Sequence, residues 1–186
     1  MSFPSSGLVS SSRDDTVTRH DAPPKQPPPG VVLDKDGKPC RTCTSSAAWM
    51  AMMKSSTGKT TKPVVPITTP ASDCPPDVEE LGRSTWTLLH SIAATYPENA
   101  PPETQSITKQ FISTFSKLYP CWVCADDFRA WMAKPGNEPK VKGQEELGQW
   151  MCQAHNVVNV KLGKPEFNCN LWKQRWKDGW DDGRCD

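Results

Sequence analysis

The chain has 186 residues, 35% of them hydrophobic, with 22 Lys and Arg against 21 Asp and Glu and a formal net charge of +1. That length suits one compact domain with a tail and is short for two full domains. The charge balance gives no electrostatic reason to expect nucleic acid or an anionic membrane as the main partner.

Residues 1–73 are rich in Ser, Thr, Pro, Gly and Lys and hold few large apolar side chains to offset the entropy of ordering. They read as a disordered N-terminal arm. Within it Cys40-Arg41-Thr42-Cys43 is followed by Trp49, Met50, Met52 and Met53. One reading is a solvated linker; the other is a tethered dithiol kept at high local concentration near a site on the folded domain. The N-terminus lacks a basic region followed by an apolar one, so no cleaved secretory signal is expected. No apolar run approaches the ~20 residues that span a bilayer, so a soluble chain without a membrane span is expected.

From Pro75 the pattern becomes helical. Asp77 with Glu80 resembles a capping box, and Val78, Leu81, Leu88, Leu89, Ile92 and Tyr96 recur at helical spacing until Pro97. A second helix fits Glu103 to Leu118, with Ile107, Phe111, Phe115 and Leu118 as its apolar stripe. A third begins at Cys121 after Pro120, turns Cys124, Phe128, Trp131 and Met132 inward, and stops at Pro135-Gly136. A fourth fits Gln144 to Leu162 with Gly163 as its stop, and a short fifth holds Leu171, Trp172 and Trp176. Two-residue alternation is missing, so 74–186 is expected to be an all-α, four-helix bundle with a short fifth helix.

The eight cysteines, at 40, 43, 74, 121, 124, 152, 169 and 185, suggest disulfides or metal. Cys121-Trp122-Val123-Cys124 opens a helix, where free N–H groups and the dipole favour thiolate, and its spacing permits a reversible disulfide. Zinc would want a second pair within ~15–20 residues; the other Cys-x-x-Cys lies far upstream in the arm, so no metal is expected. A thioredoxin-like domain would need strands around the motif. A structural bridge stays open for the motif taken alone. Cys152 and Cys169 read as a staple for the fifth helix, with a closure gain of ~3 kcal/mol. Cys74 and Cys185 flank the domain and can join within a chain or between two.

His90, His155, Asn156 and Asn159 are polar groups on helices that otherwise look inward. A lone His there is more often a hydrogen-bonded core residue than a ligand contact. Trp86, Trp176 and Trp180 suit a core or, as flat walls, a planar heterocycle such as flavin or adenine. Dithiol, imidazoles, amides and indoles together point to a redox cofactor.

At these residues the chain resembles the ERV/ALR family of FAD-dependent sulfhydryl oxidases. The matching residues are Glu80-Leu81-Gly82-Arg83-Ser84-x-Trp86 with His90, and Tyr119-Pro120-Cys121-x-x-Cys124. The match continues through Trp150-x-Cys152-x-x-His155-Asn156-x-x-Asn159, Lys161-Leu162-Gly163-Lys164-Pro165, Cys169 and Arg175-Trp176-Lys177-Asp178-Gly179-Trp180. The resemblance implies non-covalent FAD and a homodimer. In it Cys121 and Cys124 match the catalytic pair, with Cys124 facing the flavin and Cys121 taking the incoming exchange. Cys152–Cys169 matches the structural disulfide, Cys40 and Cys43 match the shuttle pair of the mitochondrial branch, and Cys74 and Cys185 look like an inter-subunit pair. Gly82, Arg83, Trp86, His90, Tyr119, His155, Asn156, Asn159, Lys161, Lys164, Arg175 and Trp176 fall at flavin-contacting positions. Trp122-Val123 is bulkier and less polar than the residues usual between the family's active cysteines.

The function implied is disulfide generation in the mitochondrial intermembrane space. A Cys-rich import oxidoreductase reduces the shuttle, the shuttle reduces Cys121–Cys124 on the other subunit, and electrons pass through FAD to O2 or cytochrome c. The rival from another class is a non-enzymatic helical adaptor stapled by disulfides.

Overall fold

A computed structural model describes residues 26–56 and 75–185. Among the described residues five α-helices run in chain order: α1 (Ser46–Ser56), α2 (Val78–Ala94), α3 (Pro102–Leu118), α4 (Trp122–Met132) and α5 (Gln144–Lys161). Short 3-10 turns lie at Arg41–Cys43 and Cys169–Leu171, and a π turn at Gln174–Asp178. The all-α bundle consists of α2–α5, and the two last turns, joined through Trp172 and Lys173, are its short fifth helix.

Local chemistry explains the boundaries. Asp77 caps α2 by accepting the Glu80 N–H at 2.9 Å. Pro102 sits in the first turn of α3, where a missing N–H costs nothing. Gln144, buried at the start of α5, donates to the Ala94 and Tyr96 carbonyls and so satisfies the C-terminal end of α2. Just before it, a Cβ on Gly143 would lie 2.1 Å from the Glu98 carbonyl oxygen, so only glycine permits that approach. Tyr96 then ties α2 to α3 and the α4–α5 loop: its hydroxyl donates to Val141 O at 3.0 Å and lies 3.3 Å from the Thr108 hydroxyl.

The core lies where α2 and α5 cross. Leu89, Ala93, Ile112, Leu147, Trp150 and Met151 are buried there, with Phe128 and Trp131 packed against them. A buried indole needs a partner for its N–H, and Trp150 finds one on Asn137 O at 3.0 Å.

Two features depart from the sequence reading. The α3 stripe Ile107, Phe111 and Leu118 faces solvent, with Leu118 75% exposed. The buried rail is Thr108, Ile112 and Ser116 instead. Hydropathy hid this rail because Thr108 and Ser116 satisfy their hydroxyls on Thr104 O and Ser113 O within the same helix. The arm also contains structure where composition gives none. Residues 28–44 form a hook and α1 follows, capped by Ser45, whose hydroxyl accepts the Ala48 N–H. No helix among the described residues is long and apolar enough to cross a membrane.

Candidate active site

Cys121 is the N-cap of α4, in extended conformation after Pro120, and its Sγ accepts the Cys124 N–H at 3.3 Å. Cys121 and Cys124 are joined as a disulfide. Sulfur at a helix N-cap meets free N–H groups and the positive end of the dipole, so the thiolate released on reduction is stabilised where it forms. Cys121 has no solvent exposure, whereas Cys124 is half-buried.

What covers Cys121 is the arm. Cys40 and Cys43, also joined, form one buried cluster with Cys121, bordered by Val32, Val78, Tyr119, Val123 and Cys124. The hook is built by local bonds. Asp34 takes the Asp36 and Lys38 N–H groups on its carboxylate, Gly37 turns with a φ of 76°, and Leu33 bridges to Pro39. The buried Thr44 hydroxyl accepts the Val32 N–H, and Cys40 N donates to Val32 O at 2.8 Å. Arg41 lies over the Trp49 ring at 5.1 Å. The sequence expectation is exchange between subunits; within one chain the arm's disulfide lies beside Cys121.

The second constellation is a set of four rings from three elements. Trp86 of α2 stacks on His155 of α5 at 4.1 Å, and His90 of α2 stacks on Trp176 of the π turn at 4.3 Å. The imidazoles meet through His90 Nε2 and His155 Nδ1 at 3.0 Å, and the Arg175 guanidinium lies over Trp176. Burial, then the His155 and Arg175 charges, push His90 down to about 3; burial, then Lys164 and Arg175, push His155 down to about 4. Both imidazoles are therefore neutral at pH 7. His90 Nδ1 is buried without a partner.

That arrangement fits a flat anionic cofactor. The rings offer faces, Arg175 and Lys164 supply positive charge, and the orphaned His90 nitrogen offers a hydrogen bond. The backbone at Gly82 has open space where a Cβ would stand. Among the described residues no group of three or more His, Cys, Asp or Glu could hold a metal ion.

Other residues singled out from sequence sit elsewhere. Tyr119 borders the cysteine cluster and bonds Thr85, and burial raises its hydroxyl above the usual phenol range despite that bond. Lys161 pairs with Asp127 at the surface, and Arg83 is exposed. Asn159 donates to the Asn156 carbonyl at 3.3 Å. The Asn156 amide is itself engaged with the backbone N–H and carbonyl of Phe167, both at 2.8 Å. Asn156 thus positions the segment after α5.

Cys152 and Cys169 are joined, pinning the fifth helix to α5. Trp180 lies under Arg184. Cys185 carries an exposed free thiol, and Cys74 lies outside the described residues. Sequence reasoning missed Thr42, Trp122 and Thr85, whose roles depend on long-range contacts that no local spacing announces.

The model of the Erv1 / Alr family matches residues 83–177. The chain is 43% identical over 183 residues to the mitochondrial FAD-linked sulfhydryl oxidase ERV1 of Saccharomyces cerevisiae, covering 87% of this chain and 96% of that protein. The crystal structure of the yeast Erv1 core is similar, with a TM-score of 0.57 and 51% identity over 64% of this chain and 100% of that one. So is the FAD binding domain of Erv1 from Saccharomyces cerevisiae, with a TM-score of 0.54 and 54% identity over 57% of this chain and 100% of that one.

Proposed function

The chain belongs to the Erv1/Alr family, and on that premise we propose that it is a mitochondrial FAD-linked sulfhydryl oxidase whose two disulfides work in series. One observation carries the serial arrangement: Cys40, Cys43 and Cys121 share one buried cluster. A partner dithiol reduces the arm, and the arm reduces Cys121–Cys124 by thiol–disulfide exchange. When bound, FAD supplies the two-electron acceptor that a dithiol needs.

The residues placed to hold that cofactor are Trp86, His90, His155, Trp176, Arg175, Lys164 and Gly82. Neutral imidazoles can donate or accept without adding charge. The dipole at the start of α4 holds the released thiolates. Residues 74–186 act as the oxidase domain and 1–73 as the arm that feeds it.

The finer reading places the enzyme in the intermembrane space, where a Cys-rich import oxidoreductase gives electrons and O2 or cytochrome c takes them. Homodimerisation is supported by the exposed apolar side chains Ile107, Phe111 and Leu118 along α3, which a second copy would cover. Cys74 and Cys185 are proposed to link the two copies.

A visible spectrum of the purified protein tests the core of this. Flavin bands that bleach with dithiothreitol under exclusion of air and recover in air are expected. A preparation that stays colourless after incubation with FAD and is inert to thiols would leave only a stapled helical adaptor.

A further inference from the structure

Between α3 and α4, apart from the cysteine cluster and the four rings, lies an open cleft of about 480 Å3. Its lining is mostly apolar, with Ile112 from α3, Met132 from the end of α4 and Pro139 from the loop before α5. Charge is confined to the two ends, and the ends differ. Arg129 donates to the Ser116 carbonyl, one residue from Lys117, so these two cations share one end. At the other end the Tyr96 hydroxyl meets both Val141 O and the Thr108 hydroxyl. That contact brings the loop carrying Glu138 to the Lys109 end of the cleft. Asp126 pairs with Arg129, whereas Lys117, Lys109 and Glu138 have no side-chain hydrogen bond or ion pair among the described residues. One end is therefore positive, and the other carries both signs.

We propose that this cleft binds a free straight-chain fatty carboxylate, its head group at Lys117 and Arg129 and its chain over Ile112 and Met132 toward Pro139. Lys117 and Lys109 are two helical turns apart, about 12 Å, which an extended chain of about ten carbons spans. The Ser116 hydroxyl in the lining is already satisfied on Ser113 O, so an aliphatic chain laid there strands no polar group. The cleft volume lies in the range of small-molecule sites. Its ten lining residues fall well short of the ~20–30 a side that a standard protein interface uses.

The site stays open when a second copy covers the apolar stripe of α3. At about 100° per residue, Lys109, Ser113 and Lys117 form a row turned away from Ile107, Phe111 and Leu118. Nothing in the cleft belongs to the disulfides or the rings, so the proposal is independent of the oxidase reading.

Methionine methyl groups make the test specific, because Met132 lines the cleft while Met50 and Met53 are exposed on α1. Full-length, FAD-loaded protein with 13C-methyl methionine is titrated with sodium decanoate below its micelle concentration. The Met132 methyl, assigned through Met132→Leu, should shift saturably while those of Met50 and Met53 stay in place. Decyltrimethylammonium, the same chain under a cationic head, should bind several-fold more weakly. Lys117→Glu should weaken decanoate about threefold to thirtyfold, since an exposed attraction becomes a repulsion of similar size. Ser113→Trp, at an exposed position in the same row, should fill the cleft and abolish the saturable shift. The flavin spectrum and thermal melting of both variants check that the bundle is intact.

A Met132 methyl that never saturates overturns the proposal. So does equal binding of the two head groups, or an unchanged affinity in Lys117→Glu, because either would leave only adsorption of a detergent-like chain. A shift produced by phosphatidylglycerol vesicles and not by decanoate would make this face a membrane contact and overturn it too.

Discussion

Midway along α5, Cys152–Cys169 sits among side chains that repeat its work. Trp172 is buried against Gly148, where a Cβ would lie 2.6 Å from the indole. Gln149 donates to Cys169 O, and Glu145 binds both the Trp172 N–H and Lys173. The hook at residues 31–44 is different. Its internal bonds are many, but among the described residues its hydrogen bonds to the bundle are few: one each from Trp122 and Thr42, with Ser46 tying the start of α1. Its following helix leaves Met50 and Met53 exposed. The same covalent bond is thus locked in by redundancy at one site and seated by a few replaceable contacts at the other. The first arrangement suits permanence, and the second suits a disulfide that must be opened and closed in every cycle.

The comparison breaks most sharply at the cysteines. Cys124→Ser should lower thiol oxidation by on the order of a thousandfold or more while the protein stays yellow. Cys40→Ser/Cys43→Ser should instead slow oxidation of a protein dithiol far more than that of dithiothreitol. Steady-state oxygen consumption with each reductant separates the cases, and equal losses would show that the arm is not a relay.

Next comes the staple. Cys152→Ala/Cys169→Ala should lose about 3 kcal/mol of bundle stability, measured by denaturant unfolding. The redundancy around Trp172 should keep the fifth helix folded, as helical content by circular dichroism will report.

Acid should act on the bundle and spare the arm. Unfolded histidine titrates near 6.5, whereas His90 and His155 are held to about 3 and about 4, first by burial. Between those values the unfolded chain binds protons that the folded one refuses, so stability falls as pH drops from about 6.5 toward 4. Thermal melts should show that decline, and His155→Phe should make it shallower. Residues 31–44 contain no histidine, so their hydrogen exchange, corrected for the intrinsic pH effect, should not follow it.

The smallest effect sharpens the hook itself. Thr44→Val removes the hydroxyl that accepts the Val32 N–H and should cost about 1–3 kcal/mol of local protection. Exchange across 31–44 would quicken with no change in bundle melting.

Much of this architecture was written in local signals. Pro75-Pro76 before Asp77, Pro120 before Cys121 and Gly163 after α5 all mark real boundaries, because capping and proline sterics act within a turn. The imidazole and indole positions were legible too, since helical spacing puts Trp86 and His90 on one face of α2. What stayed hidden was anything set by contact across the fold. Two of the three residues on the buried rail of α3 carry hydroxyls, so its apolar stripe pointed the wrong way. The bonds of the Asn156 amide to Phe167 are likewise announced by no local spacing. The hook lacks the apolar mass that normally signals order; it gathers order from Asp34, Gly37 and Thr44, and then from Trp122, which only proximity reveals.

The Asn156 amide carries a consequence of its own. By meeting both the N–H and the carbonyl of Phe167, it does for one residue what a neighbouring β-strand would do for a row of them. Gln would overreach by a methylene, Asp would bring no donor, and Leu would strand two peptide groups. The stretch that returns from α5 is thereby metered like a ruler clamped at one mark. An inserted or deleted residue between Lys164 and Phe167 would present the wrong peptide to the clamp. Lys164, held at the other side by its N–H on Asn159 O, would lose its fixed distance from Cys169.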